Sequence, residues 1–444
     1  MKGGRGPGAW GRGCVTGTAL VALALALARP APRRRVMLLP AGVVEVHSEM
    51  LVDAGTEVRG ASTGSVLHLA ADFAGRAAIV VWGSGVRLCG FTIDGNRGAL
   101  ETRAELPPSD VPFARFTRAN GVLANDVTQL SIEGVHFREI AGFAVLAANS
   151  YDVFIDGVQV SDSGSRNPAG RNNATGGILL EEGVTDFRVS RSEFRNIRGN
   201  AVWTHSLYGS PRNARGIISG NRFENIGRDA IQVGHATLVR VEENTGRRIG
   251  FPVEDVDIEH LAVPVAIDTA GNVDRSSYTS NRFDGINGKC IDLDGFHDGE
   301  IRGNACAGIG NFGIVMNNSN PDMQSRNIRI VDNAMEGVRF GGIFVIGTGH
   351  NIARNRLLRL NAAHCNEEAA RSGCFYNPGE PDMLRSGIYL GRGAERPAPA
   401  RDDVIEDNEI TGFHMASRCV ALAPAIEPDW NTVRRNVCRD TDSH

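Results

Sequence analysis

Two short phrases alternate from Ala201 to the C-terminus, and no other property of the chain narrows its fold as much. One is a small residue followed by apolar-x-apolar: Ala201-Val-Trp-Thr-His205, Ala230-Ile-Gln-Val-Gly234, Cys290-Ile-Asp-Leu-Asp294, Gly313-Ile-Val-Met-Asn317, Gly342-Ile-Phe-Val-Ile346 and Gly387-Ile-Tyr-Leu-Gly391. The other is a turn ending in Asn-x-apolar: Gly220-Asn-Arg-Phe223, Glu243-Asn-Thr-Gly246, Ser280-Asn-Arg-Phe283, Gly303-Asn-Ala-Cys306, Asp332-Asn-Ala-Met335 and Arg354-Asn-Arg-Leu357. A strand-turn unit that recurs in this way cannot bury its apolar face alone and does so by stacking on its neighbours. The repeat therefore predicts an all-β coil of roughly 10–12 rungs with long loops on one side. Equivalent positions of successive rungs lie about 4.8 Å apart, which turns the sequence into a surface map.

Composition agrees with a single elongated domain rather than several globular ones. The 444 residues include 54 glycines and only 6% aromatics, which suits short strands and tight turns. A formal charge of −4 leaves no basic footprint for nucleic acid, which is excluded as a partner. Lysine occurs only at Lys2 and Lys289. Glycines recur as turn residues and never open a helix after a strand, so no phosphate-binding loop is indicated.

At the N-terminus, Lys2, Arg5 and Arg12 precede an apolar stretch over residues 15–28, followed by Arg29-Pro-Ala-Pro32. Residues 1–31 read as a secretory signal, too short to span a membrane comfortably, and residues 36–440 as the coil. The expected location is secreted or periplasmic, with no membrane association after cleavage. Export permits disulfides. The pairs Cys365 with Cys374, Cys419 with Cys438 and Cys290 with Cys306 are candidates, and Cys89 is left over as a buried thiol.

Leu39-Pro-Ala-Gly42 and the strand Val86-Arg-Leu-Cys-Gly-Phe-Thr-Ile-Asp-Gly95, followed by the repeats to about Cys438, resemble the pectin-lyase-like superfamily of single-stranded right-handed parallel β-helices. The resemblance implies that fold and a polysaccharide or oligosaccharide partner; it specifies chemistry much less. Residues 227–235, Gly-Arg-Asp-Ala-Ile-Gln-Val-Gly-His, resemble a polygalacturonase segment but hold one acid, Asp229, and His235 is followed by Ala236. No catalytic role is carried over from that family. The calcium-dependent pectate lyase signature is missing, and Asp294-Gly-Phe-His297 is similar to the Asp-Pro-His element of β-helical mannuronan epimerases with two residues in place of proline.

Stretches over residues 96–118, 161–175, 246–264 and 361–385 break the strand pattern and read as loops that wall a groove. The recurring Asn221, Asn244, Asn281, Asn304, Asn333, Asn355, Asn408 and Asn436 read as structural, tolerating left-handed turns and bonding to each other along the coil. Alternation along the strands leaves two outward columns. The first holds Leu179, Trp203, Gln232, Ala266, Asp292, Val315, Phe344 and Tyr389. The second holds Glu181, His205, Gly234 with His235 beside it, Asp268, Asp294, Asn317, Ile346 and Gly391.

Ionisable groups bunch mid-column at His205, His235, Asp268, Asp292 and Asp294, with Lys289 and His297 in the same stretch. Carboxyl pairs roughly 5 to 9.5 Å apart are what glycosidic hydrolysis requires, and crowding raises one pKa for acid duty. Trp203, Phe344 and Tyr389 offer faces for sugar rings, with Gln232, Asn317 and Glu181 as polar contacts. The expected function is a carbohydrate-active enzyme cleaving glycosidic bonds with paired aspartates, needing no cofactor. Two alternatives stand beside it. One is a lyase or C5-epimerase acting on a uronate polymer, in which calcium or Lys289 neutralises a carboxylate and Lys289, His205 or His297 takes the C5 proton. The other is a non-catalytic carbohydrate-binding surface protein. A monomer and a homo-oligomer both remain open.

Overall fold

The computed structural model describes residues 35–101, 106–166, 170, 172, 174–256, 264–319, 324–366, 374, 377–393 and 395–441. The signal segment over residues 1–31 lies outside them. Each full coil supplies three strands, as in Ile231–Thr237, Arg240–Glu242 and Thr245–Ile249, and each strand pairs in parallel with its equivalent one coil away. The result is a three-sided parallel β-helix, and parallel strands joined by such crossovers wind right-handed. The resemblance to pectin-lyase-like β-helices thus holds at the level of fold.

One face is a 14-stranded sheet, and the other two are joined by strands that continue round a corner into a 29-stranded sheet. The stack is therefore taller than the roughly 10–12 rungs expected from the repeat. The additional coils lie before residue 200, where strands such as Gly42–Val46, Ser65–Leu69 and Thr92–Asp94 are not preceded by the Asn-x-apolar turn. Inward apolar side chains from Leu39 to Ile426 form one continuous core.

The asparagines form the expected ladder. In each link the backbone N–H and side-chain Nδ2 of one asparagine donate to Oδ1 of the next, running from Asn221 through Asn244, Asn281, Asn304, Asn333, Asn355 and Asn408 to Asn436. Each Nδ2 also donates to a backbone carbonyl of an adjoining coil, such as Val241 O for Asn281. One element of the sequence reading is corrected here. The left-handed residue is the one before each ladder asparagine, including Glu243, Ser280, Asp332, Arg354, Asp407 and Arg435, while the asparagines themselves are not left-handed. Their amides are selected for bonding, not for the turn.

All three proposed disulfides form, with Cα separations of 6.2 Å for Cys290–Cys306, 5.7 Å for Cys365–Cys374 and 5.5 Å for Cys419–Cys438. Cys89 is buried outside these bridges, its Sγ 3.9 Å from Glu57 Oε1. The first bridge ties the strand Lys289–Asp294 to Ala305–Ile309 on another face, through the core. Among the described residues no helix is long and apolar enough to cross a membrane.

Candidate active site

The site lies on the face built by Asn200–His205, Ile231–Thr237, Val265–Asp274, Lys289–Asp294 and Ile314–Asn317. Its register differs from the sequence reading by two residues. Ile267, not Val265, stands opposite Ile231 and Ile291, so Asp268 faces Gln232 on one side and aligns with Asp292 on the other. Ala266 moves into the core, and Asp268 joins the first column, a coil away from Asp292. Thr269 takes the inward position between Val233 and Leu293, where its hydroxyl meets the Tyr278 hydroxyl at 2.7 Å.

Around this register three carboxyls and one ammonium gather. Lys289 Nζ pairs with Asp292 Oδ2, and Asp292 Oδ1 is buried without a hydrogen-bond partner among the described residues. Asp229, in the turn before Ile231, is 4% exposed and accepts the Val265 N–H at 2.8 Å. A chain of amides orients the neighbours: Asp229 N–H donates to Asn200 Oδ1, Asn200 Nδ2 to Gln232 Oε1 at 2.7 Å, and Gln232 Nε2 to Asp268 Oδ2 at 2.6 Å. Asp294, two residues beyond Asp292, is held by the N–H and hydroxyl of Ser319.

The electrostatics follow from this crowding. Burial pushes the Asp268 carboxyl well above the usual carboxylate range, and the charges of Asp229 and Asp292 push it further. Burial also raises Asp229 to about 6, against the attraction of Arg228 and with the repulsion of Asp292 added. Asp294 is raised by burial, less the hydrogen bonds from Ser319. Burial works against the Lys289 charge, yet Asp292, then Asp268 and Asp229, more than offset it and hold the ammonium above its ordinary value. The crowding therefore favours a proton at Asp268 and a positive charge beside Asp292.

Next to the acids a cleft of about 410 Å³ is lined by Trp203, His205, Tyr208, Arg228, Gln232 and His235 together with residues 106–109, Val111 and Phe113. His235 sits at an irregularity: Gly234 faces Ala270 but Ala236 faces Val273, so the neighbouring strand carries an extra residue. That residue is Gly271, at φ 87°, where a Cβ would approach His235 Nε2 to 2.7 Å. Burial lowers the His235 pKa to about 4, helped by His205 and Arg212, and its ring meets Tyr208 edge-on at 4.4 Å.

The remaining residues singled out from the sequence fall elsewhere. His297 lies round the corner on the adjoining face, its ring nitrogens bonded to Asp298 and Asn272 rather than to the acids. Glu181 is fully buried and accepts the backbone N–H groups of Phe113 and Ala114. Glu181, Glu182 and His205 bring ligand atoms within 4.8 Å of one another, but both carboxylates already accept backbone N–H groups. Phe344 and Tyr389 stack with centroids 6.1 Å apart and are 4% and 1% exposed, so they present no open face. Asn317 is half-buried beside Asp294. Asp229 was not among the expected site residues, because it belongs to a turn outside the strand columns.

Fold and site together define a parallel β-helix bearing an acid cluster and a cleft on one face. No protein-family model matches the chain, and no curated protein does. Among solved structures it is similar to a mannuronic acid specific polysaccharide family 6 lyase from human gut microbiota, with 14% identity and a TM-score of 0.49 over 92% of this chain and 81% of that one. It is similar to the catalytic domain of a GH87 α-1,3-glucanase at 13% identity and a TM-score of 0.49, covering 93% of this chain and 71% of that one. ORF18 of Geobacillus virus E2 follows at 15% identity and a TM-score of 0.46, over 64% of this chain; the chain spans 52% of that protein. Those activities belong to those proteins, and the fold stated above rests on the strand pairing itself.

Proposed function

We propose that the protein is a glycoside hydrolase acting on a polysaccharide or oligosaccharide. The observation that carries this reading is the alignment of buried Asp229, half-buried Asp268 and buried Asp292 on adjoining coils around Lys289. Asp268 keeps its proton and delivers it to the leaving oxygen. Asp292, paired with the Lys289 ammonium, is the base or nucleophile, and its Oδ1, without a partner among the described residues, is free to meet water or the sugar. Asp229 keeps the pair crowded and the Asp268 proton in place. This reading calls on carboxylates and water alone. Three disulfides and the N-terminal segment support export.

Lyase or epimerase action is a second reading, favoured by one observation: His235 stays neutral at ordinary pH beside the cleft and is able to accept a C5 proton. Lys289, protonated against Asp292, is then a carboxylate-binding cation and not the base. A screen of neutral and acidic polysaccharides recording reducing ends and near-ultraviolet absorbance together separates the readings. Hydrolysis yields reducing ends without absorbance, abolished in D268N. An unsaturated product overturns hydrolysis, full activity in D268N and D292N overturns any catalytic role for the cluster, and binding without product from any substrate leaves a carbohydrate-binding protein.

A further inference from the structure

Both ends of the site face are closed by the protein's own side chains. On the N-terminal side Glu181 anchors the short helix Phe113–Phe116 over the coils through its bonds to the Phe113 and Ala114 N–H groups. The Phe113 ring packs on Trp203 at 5.0 Å and Phe143 at 5.9 Å. Beneath it Leu123, Leu146 and Leu179, the outward positions of the preceding coils, are at most 2% exposed. On the C-terminal side the next outward positions, Phe344 and Tyr389, are equally covered. Phe312, Phe340, Cys365 and Leu384 form a separate apolar cluster beside them. Glu380 lies against Phe344 and Gly391 and accepts the Arg392 N–H at 2.9 Å.

Between the walls the column runs Trp203, Gln232, Asp268, Asp292 and Val315. At about 4.8 Å per coil that is roughly 19 Å along the axis. A polymer laid along the coil would have to pass through Phe113 at one end or the Phe344 cover at the other. We infer that the enzyme acts at the end of a glycan chain or on short oligosaccharides, with the terminal sugar seated in the cleft between Trp203, Tyr208, Gln232 and His235. This rests on the glycosidase reading and adds its mode of action. The acids stand on the coils directly after the cleft, so the bond cut is one or two sugars from the terminus.

The test uses the full-length protein on polygalacturonate, alginate and a neutral β-glucan, following viscosity, reducing ends and product size, with D268N as control. The expected result is a single short product from the earliest time points while viscosity stays level. A broad ladder of products with an early fall in viscosity overturns the inference and leaves hydrolysis standing. Absence of any D268N-sensitive product overturns the reading beneath it, and the inference with it. A second measurement is binding of oligosaccharides of increasing length to D268N: affinity should rise over the first few sugars and then level. Affinity that keeps rising with length overturns the closed-end geometry even if the products are short.

Discussion

At the level of single residues, the informative groups are those whose charge the fold opposes. Asp403 occupies a corner position, 1% exposed, where Oδ1 accepts the His350 N–H and Oδ2 has no hydrogen-bond partner among the described residues. Burial, with the charge of Asp402, pushes it up to about 7 from 3.8. Between these values the folded chain holds a proton that the unfolded chain has lost, so its contribution makes stability fall as pH rises from about 4 to about 7. Asn431, next in the same stack, solves the problem by donating to Ala400 O. D403N should therefore stabilise the protein at pH 8 by on the order of 2–4 kcal/mol and by little at pH 4, read from denaturant midpoints at both pH values. In the site the sign carries over to rate. Asp229 charge raises the Asp268 pKa, so D229N should move the alkaline limb of the pH profile of kcat/KM to lower pH. An unmoved limb would separate Asp229 from the acid. D268N itself should lower turnover about a hundredfold or more.

For strands and turns, the ladder makes the clearest prediction. Replacing Asn281 by Ala removes the acceptor for the Asn244 N–H and Nδ2 and the donor to Val241 O, all buried. A loss of about 2–4 kcal/mol is expected in equilibrium unfolding. The strand pattern, the ladder and the three disulfide pairs were legible in the sequence because each repeats or brackets a short segment. The register of Val265–Asp274 was not. Its inward residue is Thr269, satisfied by Tyr278, so the apolar-x-apolar phrase that marks other strands is broken there and Val265 with Ile267 imitates it. Asp229, noted as the one acid of residues 227–235, was left out of the site for a related reason: its carboxyl reaches the site from a turn, and alternation along a strand says nothing about turns. Glu380 and Asp382, which stand beside Phe344 and Tyr389, come from a loop that no local pattern ties to that face.

On the scale of the whole molecule, each strand pairs only with the coils beside it, so energetic effects within the coil should travel a short way along the axis. Asn221→Ala and Asn408→Ala stand far apart in the stack and should add. Asn281→Ala and Asn304→Ala share hydrogen bonds and should cost less together than the sum of the two. Stability measured for both pairs decides between a chain of local contacts and a globally coupled unit.

Lys289 has a practical consequence. It is the only lysine beyond Lys2 in the 444 residues, and it lies between carboxylates that hold its amine protonated. An amine-selective reagent then has one internal target, sluggish at neutral pH because the ammonium is not a nucleophile. D292N should release it, so the extent of labelling, counted by mass spectrometry, becomes a direct gauge of the ion pair at the heart of the site. A bound sugar would show itself in the same spectrum as protection of one residue, before any reaction product has been identified.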